Sequence, residues 1–297
     1  MFEEAQLYSP VTAGDEGVKV HLASDHPGVA DPVYRARRNA IAAAALDWEP
    51  GRPLPVIEYT EAEHEVWRIV CRELAIKHRK YAPQALVEAS QRFALPTDRI
   101  PQLHEVNALL EPLTGFRYAC APGLVPLLEF LGALGDRVFH STQYIRHTST
   151  PLYTPEPDLI HEVIGHGMLM ADPQVAEVKR LAGEAARRVK DTKESLKFLA
   201  DVFWFTIEFG VLREAGEWRA YGAGILSSYG EIEEFRHMDI RPIDFLAMGT
   251  LEYDITHYQP ILFGAESFDH MVDTVGAFFA GFEADTPERL RAEAAVV

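Results

Sequence analysis

A mainly α fold with a few short β-strands, built as a single domain, is what this 297-residue sequence predicts. Apolar residues recur at three- and four-residue spacing in segment after segment between Asp31 and Phe282, and helix-capping residues stand at the starts of several segments. No glycine-rich loop follows an apparent strand to open a nucleotide-binding unit. Gly222-Ala223-Gly224 lacks the rest of that fingerprint.

Residues 1–30 are rich in glycine, proline and aspartate, lack sustained periodicity, and read as an irregular lead-in. Asp31-Pro32 then supplies an N-cap and a first-turn proline, starting an alanine-rich helix to about Trp48. Gly51-Arg52-Pro53-Leu54-Pro55 breaks it. Thr60 with Glu63 three residues on makes a capping box for a helix to about Arg79, along which Val66, Trp67, Val70 and Leu74 share a face. Further helices are expected over 82–93, 101–112, 126–134, 158–168, 173–189, 193–212 and 266–282. Short strands are expected over 137–145, 217–221 and 250–256, with Ala215-Gly216 as a turn. The domain spans 31–285, and 286–297 reads as a short C-terminal tail.

The net charge of -17 argues against a nucleic-acid partner, because phosphate binding needs a concentrated basic surface. Arg35, Arg37 and Arg38 form one basic cluster, and Arg187, Arg188 and Lys190 another; both read as solvated helix faces. Cys71 and Cys120 are too few and too far apart for a disulfide framework or a two-cysteine zinc site, which favours reduced thiols in a cytoplasmic protein. The start, Met1-Phe2-Glu3-Glu4, is acidic where a signal peptide is basic. No apolar run approaches the roughly 20 residues that span a bilayer. A soluble, cytoplasmic protein without a membrane partner is expected.

Asp158-Leu159-Ile160-His161-Glu162-Val163-Ile164-Gly165-His166 is the most informative stretch. Asp158 caps a helix that carries two histidines five residues apart. In zinc peptidases the spacing is four, which puts both rings about 40° apart on one helix face; five puts them roughly 140° apart. His161 and His166 face one metal only if the helix ends or distorts between them, and Gly165 is where it can. A third ligand comes from Phe203-Trp204-Phe205-Thr206-Ile207-Glu208-Phe209-Gly210, where one carboxylate interrupts an apolar helical segment. Acidic residues are almost never fully buried unless paired or metal-bound. His161, His166 and Glu208 together make two imidazoles and a carboxylate, the facial triad of non-haem Fe(II) oxygenases. Two other classes compete: a zinc-dependent hydrolase with Glu162 as base, and a binding protein for aromatic ligands that kept the fold without catalysis.

With these residues the chain resembles the pterin-dependent aromatic amino acid hydroxylases. The resemblance runs from Asp25-His26-Pro27-Gly28 to Phe282. It is dense at Asp31-Pro32-Val33-Tyr34-Arg35-Ala36-Arg37-Arg38, at Phe139-His140-Ser141-Thr142-Gln143-Tyr144-Ile145-Arg146-His147, at Tyr153-Thr154-Pro155-Glu156-Pro157-Asp158 and at Tyr221-Gly222-Ala223-Gly224-Ile225-Leu226-Ser227-Ser228. It implies a single compact catalytic domain of that type, with Fe(II) on His161, His166 and Glu208, and with a tetrahydropterin and O2 as cosubstrates. Arg146 matches the arginine that receives the amino acid carboxylate, a task suited to the guanidinium fork. Thr154 and Asp158 match residues supporting that end of the pocket. Ser227 matches a serine beside the substrate that orients the first histidine. For the pterin, Gly123-Leu124-Val125 matches a loop bordering the ring, and Phe130 the aromatic stacked on it. His140 matches a histidine near the pterin and the reacting ring, and Glu162 a carboxylate across from the pterin. Because the family's regulatory domain and most of its tetramerisation helix have no counterpart, a monomer or weak dimer is expected.

The resemblance also bears on substrate. Trp204 and Leu124 are phenylalanine-type, whereas Ile255 matches tryptophan hydroxylases where phenylalanine enzymes carry valine. That extra methylene is worth roughly 1 kcal/mol, too little to decide alone. Two positions depart from the family: Phe203 replaces a common tyrosine, and Gly167-Met168 replaces Val-Pro after the second histidine. Hydroxylation of free L-phenylalanine to tyrosine is expected, with meta-hydroxylation to 3-hydroxyphenylalanine or 5-hydroxylation of tryptophan as alternatives.

Overall fold

A computed structural model describes residues 9–15, 17–254 and 257–295. The chain opens with an antiparallel hairpin, β1 (Val11–Gly14) and β2 (Gly17–Val20), so the segment expected to be irregular is partly ordered. The Val20 amide donates to Asn39 Oδ1 at 2.8 Å, which ties the hairpin to α1 (Pro32–Leu46). Asp31 caps α1 by accepting from the Val33 and Tyr34 amides. Both halves of the Thr60–Glu63 capping box are present at the start of α2 (Glu61–Tyr81). α3 (Gln84–Phe93) and α4 (Leu103–Thr114) follow, and Gly115 stops α4 at a φ of 77°, where a side chain would be strained. β3 (Arg117–Cys120), α5 (Leu127–Leu134) and β4 (Val138–Ser141) make a parallel crossover unit.

A π-helical turn over His161–His166 leads into α6 (Gly167–Met170), α7 (Pro173–Arg188) and α8 (Lys193–Phe203), and a second π-helical turn covers Trp204–Glu208. The remainder is β5 (Val211–Glu214), β6 (Glu217–Ala220), α9 (Ala223–Ser227), α10 (Glu231–Glu234), β7 (Asp239–Pro242), α11 (Phe245–Met248), β8 (Ile261–Ala265), α12 (Phe268–Ala280) and α13 (Thr286–Ala294). Four strands form one sheet in the order β6-β5-β8-β7, antiparallel at β5–β6 and parallel elsewhere.

Three expectations are corrected. The helix expected through 212 ends at Glu208, because the Gly210 carbonyl accepts from both Tyr221 and Gly222 amides and turns the chain into β5. Residues 250–254 form no strand; the sheet is completed by Ile261–Ala265, whose pairing with β5 and β7 is non-local. The segment expected as a tail carries α13, where Arg291 reaches Glu194 on α8 at 2.9 Å.

One continuous core joins these elements and includes Trp67, Phe93, Phe139, Phe205, Phe263 and Phe279, all essentially excluded from water. Burying each such ring contributes about 1.5–3 kcal/mol, and a single core makes a single domain. Arg38 also differs from expectation. It is not on a solvated face but buried, paired with Glu156 at 2.5 Å and lying over the Tyr144 ring. Cys71 and Cys120 are free thiols, and no helix among the described residues is long and apolar enough to cross a membrane.

Candidate active site

The π-helical turn resolves the five-residue spacing of the histidines. Its i→i+5 bonding is completed by the Gly167 amide, which donates to the Glu162 carbonyl. Residues five apart then share a face, and the His161 and His166 rings meet edge to face with centroids 4.7 Å apart. Glu208 is delivered by the same device: the Phe209 amide bonds the Trp204 carbonyl at 3.0 Å, closing the second π turn. Glu208 Oε1 lies 2.9 Å from His166 Nε2, and Oε2 lies 3.7 Å from His161 Nε2. Glu162 flanks the group, with one ligand atom each of His161, Glu162 and His166 within 4.8 Å of one another. Gly165 serves the packing rather than marking a local break. A Cβ there would sit 2.7 Å from the Ala223 carbonyl oxygen, so glycine lets α9 approach the π turn.

That approach brings Ser227 to the first histidine. Its hydroxyl donates to the Ala223 carbonyl at 2.8 Å and therefore accepts from His161 Nδ1, 2.9 Å away. The ring proton of His161 is thereby held on Nδ1, leaving the Nε2 lone pair toward Glu208. Burial, then the neighbouring His166, pull the His161 pKa down to about 4, and burial, then Lys179, hold His166 well below the ordinary imidazole value. Both imidazoles are neutral near pH 7. Burial raises Glu208, and burial with the Glu208 charge raises Glu162 well above the usual carboxylate range. Two buried carboxylates beside two neutral imidazoles are costly without a compensating cation. The donor chemistry fits Fe(II) with positions left open.

The group forms the floor of a cavity of about 250 Å³, lined also by Arg146, Thr154, Trp204, Ser227 and Glu231. Arg146 is clamped by Asp158 through Nε and Nη2, at 2.9 Å each. Thr154 Oγ1 donates to the Glu156 carbonyl at 2.9 Å and shapes that wall. Trp204 stacks on Tyr253 at 4.6 Å, with Nε1 donating to Gln259. Ile255 lies outside the described residues.

A smaller adjoining cavity is lined by Gly123, Leu124, Val125, Phe130, His140 and Glu162, so all six expected pterin contacts surround one space. His140 Nδ1 and Thr142 Oγ1 are buried there without a hydrogen-bond partner among the described residues. At about 40 Å³ this space alone does not hold a bicyclic heterocycle, but Leu124, Val125, Phe130 and Glu162 also line the main cavity, so an aromatic face and unpartnered polar atoms border one side of the larger space. Phe203 does not line either cavity; its ring backs Phe130 at 6.4 Å. Gly167 follows His166 in the chain and packs against Phe93, which a Cβ there would meet at 2.7 Å.

Sequence reasoning missed Glu231 and Lys179. Glu231 is buried on the cavity wall, and its Oε1 accepts from the Gln259 amide. Lys179 places Nζ 2.9 Å from His166 Nδ1. The available signal was a lone charge on an apolar stripe, since Val175, Val178 and Ala182 share the buried face of α7 with Lys179.

Comparison with known proteins agrees with this geometry. Residues 15–288 match the family model described as biopterin-dependent aromatic amino acid hydroxylase. The phenylalanine 3-hydroxylase of Streptomyces coeruleorubidus is 50% identical over 254 residues, covering 86% of this chain and 91% of that protein. The phenylalanine-4-hydroxylase of Rattus norvegicus is 41% identical over 268 residues, covering 87% of this chain but 58% of the rat enzyme. Among solved structures, the apo phenylalanine hydroxylase of Colwellia psychrerythraea superposes with a TM-score of 0.72 at 32% identity, covering 81% of this chain and 91% of that one. The cobalt-bound phenylalanine hydroxylase of Chromobacterium violaceum gives 0.70 at 26% identity, covering 78% and 87%. The chain belongs to the biopterin-dependent aromatic amino acid hydroxylases, monooxygenases that use iron and a tetrahydropterin. Membership decides against the zinc hydrolase and the inert binding protein.

Proposed function

We propose that the enzyme hydroxylates the ring of free L-phenylalanine at the meta position, giving 3-hydroxyphenylalanine. The observation that carries this is the 50% identity to a phenylalanine 3-hydroxylase across nearly the whole of both chains, against 41% to the rat 4-hydroxylase. The para product expected from the family resemblance is the competing outcome. Phe203 supports the meta reading indirectly: its ring packs on Phe130, which lines the cavity, so it bears on where the substrate ring lies. Gly167 packs on Phe93 and Tyr118, away from the cavity lining.

In this reading His161, His166 and Glu208 hold the iron, with Ser227 fixing the His161 tautomer. The pterin lies against Gly123-Leu124-Val125, Phe130, His140 and Glu162, on the side of the main cavity that Leu124, Val125, Phe130 and Glu162 also line. When bound, iron and tetrahydropterin supply oxygen activation and its electrons. The chain's own residues position the substrate. Asp158 occupies two of the donor nitrogens of Arg146, leaving Nη1 for the substrate carboxylate. Trp204, held flat by Tyr253, makes an apolar wall for the ring. A ring held at both ends presents one edge to the iron, and position converts into rate and regiochemistry.

The test is incubation of purified protein with Fe(II), a tetrahydropterin, O2 and either phenylalanine or tryptophan, with products separated against ortho-, meta- and para-tyrosine and 5-hydroxytryptophan. Meta-tyrosine is the expected product. Para-tyrosine as the main product refutes the regiochemistry and keeps the substrate; 5-hydroxytryptophan alone refutes the substrate.

A further inference from the structure

Lys179 is completely enclosed, and the proposed chemistry makes no use of it. It projects from the middle of α7 along a stripe with Val175, Val178 and Ala182, all essentially inaccessible. A lysine stem is long enough to carry its head to water from most buried positions. Here it does not, and a polar head kept in an apolar interior is costly unless it is bonded.

Its partner is specific. Nζ lies 2.9 Å from Nδ1 of His166 and 4.7 Å from the centre of the Phe139 ring. That ring in turn lies 4.6 Å from the His166 imidazole. The lysine head, the aromatic face and the imidazole form one packed cluster behind the expected metal ligand. On the opposite edge of the imidazole, Nε2 faces Glu208 Oε1 at 2.9 Å. Engaging Nδ1 from behind fixes the ring with Nε2 toward the place where the metal would be held. A neutral imidazole offers a lone pair at Nε2 only when its proton is on Nδ1, so Nδ1–H donates to the Lys179 amine. Ser227 does the equivalent for His161, so each histidine has its own partner from a different helix, α9 for one and α7 for the other.

We propose that Lys179 is a positioning residue of the metal centre: its amine, braced by Phe139, accepts from Nδ1–H and holds the His166 ring with Nε2 presented to the metal. This rests on the assignment of His161, His166 and Glu208 as ligands. Outer partners of this kind typically account for 10–100-fold in metal affinity.

The experiment is a titration of chelator-stripped protein with Co(II), followed by its visible absorption, for wild type, Lys179→Met and Lys179→Gln, alongside the melting temperature of each metal-free protein. Methionine matches the lysine stem and removes the hydrogen bond. Replacing a buried ionisable group by an apolar one is often neutral or stabilising, so the metal-free Lys179→Met protein is expected to melt at or above wild type. Its Co(II) dissociation constant should nonetheless rise about 10–100-fold, with altered absorption bands. Lys179→Gln, which keeps a polar end, should recover part of the loss. Wild-type affinity and spectrum in Lys179→Met would overturn the proposal. So would a loss of affinity that tracks a lowered metal-free melting temperature, since that is packing alone. Should Lys179→Met fail to fold, Lys179→Gln decides by the same two readouts. A wild-type protein that takes up no Co(II) would instead fail the ligand assignment itself, and that failure is visible before any variant is measured.

Discussion

Asp158 holds Arg146 through three contacts, with Oδ2 accepting from the Arg146 amide and Nε and Oδ1 accepting from Nη2, all at 2.9 Å. Oδ1 also accepts from the His161 amide at 3.2 Å. One carboxylate thus sets both the Arg146 end of the cavity and the start of the π turn. Removing its charge leaves a buried guanidinium without a counter-charge, which costs about 3–5 kcal/mol. Asp158→Asn should lose stability of that order in urea denaturation, and KM for the amino acid should rise. A variant within about 1 kcal/mol of wild type would show that the clamp is not structural.

Glu208 and Glu162 can be told apart by metal binding. Both Glu208 oxygens face histidine Nε2 atoms, whereas Glu162 also borders the smaller cavity. Glu208→Gln should weaken Co(II) or Fe(II) binding by more than about 100-fold, beyond the usual effect of an outer partner. Glu162→Gln should retain the metal and lose response to tetrahydropterin. The reverse pattern in metal analysis would exchange the two roles.

Gly165 tests how closely α9 must lie. An added Cβ meets the Ala223 carbonyl oxygen at 2.7 Å and Ser227 Cβ at 3.2 Å, neither of them the end of a flexible chain. Overpacking of this kind costs about 1–3 kcal/mol. It also pushes Ser227 away from His161. Gly165→Ala should therefore lower both the melting temperature and metal affinity; a change in neither would mean that α9 yields freely.

Glu156 gives a pH signature. Burial alone would raise its carboxyl, but His26 and Arg38 outweigh that and hold it at about 2, against an ordinary 4.5. A depressed carboxylate contributes stability that is present above the unfolded value and lost as pH falls toward the folded one. The contribution is on the order of 3 kcal/mol, and it disappears between about pH 4.5 and 2. Glu156→Gln should be destabilised by that order at pH 7 and converge on wild type near pH 2 in urea titrations. Parallel curves at all pH values would rule this pair out as a source of acid sensitivity.

Much of this was legible from residue chemistry. Asp31, Thr60 and Glu63 announced helix starts because capping is local. The five-residue spacing of His161 and His166 demanded a distorted helix, and Glu208 stood out as a carboxylate in an apolar run. What escaped depends on distant partners. Val211-Leu212 is apolar enough for helix or strand, and only pairing with β6 and β8 decides. Arg38 and Lys179 look solvated in sequence because a long cation can reach water. The burial of Arg38 is settled by Glu156 and Tyr144, more than a hundred residues on, and that of Lys179 by His166 on the preceding π turn.

Glu231 carries the opposite sign from Glu156. Burial raises its carboxyl to about 7 from 4.5, only partly offset by the Gln259 amide. A raised folded value means that the stability it contributes is fully present below about pH 4.5 and is lost as pH rises through about 7. Above that, the cavity wall carries a buried negative charge costing on the order of 3 kcal/mol. Glutamine keeps an acceptor for the Gln259 amide and cannot ionise. In metal-free protein, Glu231→Gln should match wild type at pH 4 and exceed it at pH 8 by that order in urea titration. If wild type is the more stable at pH 8, the ionised carboxylate has a compensating partner, and the wall is not the apolar surface its burial implies.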